Sequence, residues 1–134
     1  MGNANSSVLD VGNCDPDHGM IRKMLLKHFD VEIDRVMFVD EAIEKLRKRS
    51  YDLVMFNRLI FDDGSEGIEL LRRAKVEPSL AATPMMMISN FAEAQARAVA
   101  AGGVPGFGKD SIFAESTCEL LSRYLNPRKS GAAV

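Results

Sequence analysis

Six polar residues stand close behind four apolar runs of the chain: Asn13, Cys14 and Asp15 after Val8 to Val11, Asn57 after Leu53 to Phe56, Ser89 after Met85 to Ile88, and Lys109 after Val104 to Phe107. Together they offer two amides, a thiol, a carboxylate, a hydroxyl and an ammonium, enough for a hydrogen-bonded polar pocket. They are poorly suited to a hard dication, because magnesium asks for several charged oxygens and Asp15 is a single acid. No metal site is expected. A thiol beside a cationic lysine would be reactive, which gives Cys14 a redox reading; a buried structural thiol is the plainer one. Cys14 and Cys118 have neither metal-ligand nor disulfide-framework spacing. Asp62 and Asp63 precede Gly64 and read as turn residues. Asp10 interrupts the first apolar run, where an unpaired carboxylate would be costly, so Asp10 or Asp15 is expected to pair with Lys109. The alternative for Lys109 is an ordinary surface lysine.

These residues need elements to position them. The run at Val8 is followed by Gly-Asn-Cys-Asp-Pro-Asp, turn and cap residues, and then Ile21, Met24, Leu25, His28 and Phe29 recur at helical spacing from Asp17 onward. Val31 to Val39 reads as a second strand, with Asp40 capping a helix striped by Ala42, Ile43 and Leu46. A strand at Leu53 to Phe56 leads through a long loop to a helix over Ile68 to Lys75, stopped by Pro78. Met85 to Ile88, a helix from Ala92 to Ala101 and a short strand at Val104 to Phe107 follow. Asp110 then caps a last helix with Phe113, Thr117, Leu120, Leu121 and Tyr124 as its stripe. The pattern is (βα) five times over. Strands that are apolar throughout imply a parallel sheet covered by helices on both faces, with its chemistry at the carboxyl ends of the strands.

With 134 residues and 46% hydrophobic content, the chain suits one domain with one core. Residues 1–7 read as a disordered N-terminus, 8–125 as the domain and 126–134 as a flexible tail. A net charge of -2 from 17 basic and 19 acidic residues provides no field for nucleic acid. The basic run Lys45 to Arg49 reads as the solvated side of a helix. No apolar run is long enough to span a membrane and no secretory signal opens the chain, so a cytoplasmic protein is expected. The opening Met-Gly-Asn-Ala-Asn-Ser matches the loose myristoylation pattern, which also arises by chance.

The chain resembles the receiver domain of bacterial response regulators over nearly all of residues 8 to 125. The matching stretches are Cys14 to Asp17, Tyr51 to Asn57, Asp63-Gly64-Ser65, Gly67 to Leu71, Thr83 to Ser89 and Ala101 to Lys109. The resemblance implies a flavodoxin-like fold with strand order 2-1-3-4-5. It also implies an acidic pair for magnesium at positions 13 and 14 and a phosphate-accepting aspartate at position 57. Here those positions hold Asn13, Cys14 and Asn57. An amide cannot form the acyl phosphate. Ser89 and Lys109 match retained pocket residues, and without phosphate Lys109 would reach toward Asn57 Oδ1, Ser89 and Asp15.

The position of the family's switch aromatic, three residues before the lysine, holds Gly106, with Phe107 beside it. Asp110 replaces the usual proline after the lysine, so a trans peptide is expected there. The fourth helix is about two residues short. The resemblance therefore implies a pseudo-receiver without cofactor or catalysis. It would bind a histidine kinase, a phosphotransfer protein, another regulator or a second copy of itself through the fourth helix, fifth strand and fifth helix. No output domain is expected after residue 125. Two alternatives stay open: phosphorylation at a non-standard residue, and a flavodoxin-like ligand or redox protein.

Overall fold

A computed structural model describes residues 5–129. Along the chain run β1 (Ser6–Val11), α1 (Asp15–His28), β2 (Val31–Val36), α2 (Val39–Lys48), β3 (Leu53–Asn57), α3 (Ile68–Lys75), β4 (Met85–Ile88), α4 (Ala92–Ala100), β5 (Val104–Phe107) and α5 (Glu115–Leu121). The strands form one parallel sheet in the order β2-β1-β3-β4-β5. This is the expected flavodoxin-like arrangement.

Alternate strand residues feed two cores, as the period of two requires. Leu9, Val11, Val54, Phe56, Met85 and Met87 pack with α2, α3 and α4. Val8, Leu53, Met55, Met86 and Ile88 pack with α1 and α5. The α2–α3 side is also clasped by charge: Arg47 grips Glu77 through two hydrogen bonds of 2.9 and 2.8 Å. That guanidinium holds the Glu77 carboxyl below its ordinary range.

Several boundaries depart from the sequence reading. The ordered domain is wider than 8–125. Ser6 and Ser7 belong to β1, which lies between two other strands, and their buried backbone needs partners. Ser6 N donates to Asp30 O and Ser7 N to Asp52 Oδ2. At the other end, Asn126 to Lys129 are held rather than loose: Asp30 N donates to Asn126 O, Arg128 N donates to His28 O, and Pro127 bridges Phe29. Residues 1–4 and 130–134, with the start of the myristoylation pattern, lie outside the described residues.

Strand β2 stops at Val36 because the Glu41 carboxylate accepts from the backbone of Met37 and Phe38. The helix therefore begins at Val39, one residue before the expected Asp40 cap. The last helix begins at Glu115 instead of following Asp110 directly. A short 3-10 turn over Lys109–Ser111 comes first, and Ile112 fills the core while Phe113 is turned outward. Every peptide among the described residues is trans, Asp110 included. No helix among them is long and apolar enough to cross a membrane.

Candidate functional site

The carboxyl ends of β1, β3, β4 and β5 meet at one edge of the sheet, but the six residues do not form one constellation. Asn57, Ser89 and Lys109 line a common cavity of about 400 Å³. Cys14 and Asp15 line a different hollow with Arg35, Met37 and Phe61.

Asn57 is held by its own amide. Its Nδ2 donates to Leu59 O at 2.6 Å and to Gly12 O at 3.5 Å. Both partners are carbonyl oxygens, the nearer being Leu59 O, so the position suits the NH2 end of an amide. The loop fits closely around this latch. Phe61 N donates to Gly12 O, and Ile60 is fully buried so near Gly12 that a Cβ there would meet its side chain at 2.4 Å. Gly67 lets α3 start against β3, since a Cβ would come within 2.0 Å of Asn57 O. Asp63 takes hydrogen bonds from Ser65 N and Oγ inside its turn, which hold its carboxyl below the ordinary value.

Lys109 reaches neither Asn57 nor the acids proposed for it. Its Nζ pairs with Asp17 Oδ2 at 2.7 Å, in the first turn of α1. Asp15 lies outward, 90% exposed, and pairs with Arg35 of β2. Asp10 is completely buried between β2 and β3 and is satisfied from its own side of the sheet, by His18 Nδ1 and Asn13 Nδ2, each at 2.5 Å. The expected pairing of Asp10 or Asp15 with Lys109 is thus replaced by three separate pairs. His18 had a sequence signal: it stands three residues before Ile21 and seven before Leu25, on the core stripe of α1.

Ser89 is buried, and its Oγ accepts from Phe91 N at 3.1 Å. At Gly106 a Cβ would meet Met87 O at 2.0 Å, so no aromatic fits. The Gln95 side chain of α4 occupies that neighbourhood. It donates to Met87 O at 2.8 Å and Ser89 O at 3.3 Å and accepts from Gly106 N at 3.0 Å. The β4–β5 ladder slips between Met86 and Ile88, and Gln95 fills the gap. Phe107 points into the core on the α1–α5 side. Gln95 carried no sequence signal, because an amide in an alanine-rich helix looks solvent-facing.

The donor set does not fit the magnesium that the fold family implies. Asn13 turns its Nδ2 to Asp10, Cys14 supplies a thiol, and Asn57 offers a neutral amide with its Nδ2 turned to Leu59 O, where a hard cation needs charged oxygen.

No family model matches the sequence, and no curated protein matches it. Solved structures match in fold. The signal receiver domain of a DNA-binding response regulator from Colwellia psychrerythraea superposes with a TM-score of 0.71 at 22% identity, covering 89% of this chain and 99% of that one. A chemotaxis response regulator of Vibrio cholerae gives 0.70 at 19%, covering 91% and 100%. The non-phosphorylated receiver domain of a stress response regulator from Escherichia coli gives 0.68 at 20%, covering 90% and 93%. The chain shares the receiver fold.

Proposed function

We propose that this chain is a receiver-like module of two-component signal transduction that acts by binding another protein, without phosphorylation and without catalysis. The similarity of fold to receiver domains supports the pathway, and a cytoplasmic setting fits it. The observation that carries the reading is the Asn57 amide, whose Nδ2 is engaged by Leu59 O and Gly12 O. Phosphoryl acceptance requires an ionised carboxylate oxygen at that point. The Lys109–Asp17 pair and the Gln95 bridge support a single fixed arrangement of the same edge.

The interaction surface would be α4, β5 and α5, where Val99 of α4 is exposed, with Phe113 exposed just before α5. A histidine kinase, a phosphotransfer protein, another regulator or a second copy would dock there. Incubation with acetyl phosphate and magnesium, followed by intact-mass measurement, is expected to leave the mass unchanged. A stable gain of one phosphoryl group would defeat the reading. Partner capture is expected to be indifferent to acetyl phosphate and to weaken on Val99→Glu.

A further inference from the structure

The cavity over Asn57, Ser89 and Lys109 is more than a disused pocket. None of its lining residues is acidic, and two are cationic. Lys109 is neutralised by Asp17. The Arg58 guanidinium has no carboxylate partner among the described residues and lies over the Phe91 ring, 4.8 Å from its centroid. Leu59, Phe61 and Phe91 line the same opening and are 39%, 63% and 58% exposed, which places a third of the nine exposed large apolar side chains among the described residues at this one mouth. Ser89 accepts from Phe91 N, and its hydroxyl hydrogen remains free to donate.

We propose that this cavity is a non-covalent binding site for a small organic carboxylate with a flat apolar body, of the arylacetate class. The planar guanidinium of Arg58 suits a carboxylate, which it can grip through two parallel hydrogen bonds. The aromatic rim suits a ring, which would cover surface that is now wet. One free cation balances one negative charge, whereas a phosphate dianion would need Lys109 as well, and Lys109 is already paired. A volume of about 400 Å³ falls within the range of small-ligand sites. The inference goes beyond the proposed interaction role and does not depend on it, since ligand binding and partner binding are read out separately.

The test is an amide NMR titration of the whole chain with phenylacetate, its neutral isostere phenylacetamide, acetate and inorganic phosphate. Phenylacetate is expected to give saturable shifts at residues 57–61 and 89–91 and to bind about tenfold more tightly than phenylacetamide, the difference that one charge-assisted hydrogen bond makes. Arg58→Gln should erase that preference, and Phe91→Ala should weaken phenylacetate and phenylacetamide alike. Both side chains are partly exposed, and the same spectra report whether each variant is folded. Shifts that do not saturate, equal affinity for acid and amide, or indifference to Arg58→Gln would overturn the proposal. Tighter binding of inorganic phosphate than of phenylacetate would overturn it too, because the site would then be selecting charge without the ring.

Discussion

At the scale of single residues, the Asn57 amide makes contacts that a carboxylate could not make. Asn57 joins two loops because an amide can donate to Leu59 O and Gly12 O. A carboxylate in its place would face those oxygens with its own lone pairs. Asn57→Asp is therefore expected to lose about 1–3 kcal/mol by urea denaturation at neutral pH, and more than Asn57→Ala, which only withdraws the donor. An aspartate variant as stable as the parent would show that the latch contributes nothing. Asp10 follows the same logic. Burial of an acid in a central strand is tolerable because His18 and Asn13 meet it within hydrogen-bond distance. The sequence shows that Asp10 must have a partner; which residue supplies it depends on how α1 is rotated over the sheet.

Among the elements, α4 and β5 show how a short strand is held. Strand β5 is four residues long and its ladder to β4 is irregular, so backbone pairing alone leaves Met87 O and Gly106 N without each other. The Gln95 amide bridges them from the helix. Gln95→Ala would leave this donor and acceptor unmet in a half-buried place, at a cost of about 1–3 kcal/mol. Faster amide hydrogen exchange at Gly106 than at β1 and β3 should accompany it. Unchanged exchange at Gly106 would show that the strand does not rely on the bridge. Gly106 completes the arrangement: with Met87 O only 2.0 Å from where a Cβ would stand, no larger side chain has room.

For the molecule as a whole, alkaline stability follows from a contact between distant parts of the chain. The hydroxyl of Tyr51, two residues before β3, donates to Asp34 Oδ2 of β2 at 2.5 Å. Burial, then that carboxylate, pushes its pKa from 10.0 up to about 12. The native state keeps the proton after the unfolded chain has released it, so this contribution is complete below the unfolded value of 10.0 and is lost as pH climbs through about 12. Absorbance titration should find one of the two tyrosines ionising only near the upper value. Tyr51→Phe should flatten the fall in denaturation midpoint across that interval. A Tyr51 hydroxyl ionising near 10.0 would contradict the contact.

Much of this was readable along the chain. The continuous apolar runs at Leu53 and Met85, with the run at Val8 broken only by Asp10, determine strands covered on both faces, hence a parallel sheet and a site at its carboxyl edge, because burial pattern is a local consequence of residue type. The amide at position 57 determines that no acyl phosphate forms there, since nucleophilicity belongs to the side chain itself. What the sequence could not decide was who faces whom. Lys109 chose Asp17 over Asp10 and Asp15, Gln95 bridged Met87 O and Gly106 N, and Arg58 settled over Phe91, which lies 33 residues further along. Such pairings depend on ångström-scale placement of helices against the sheet, and that placement is set by the packing of both cores at once.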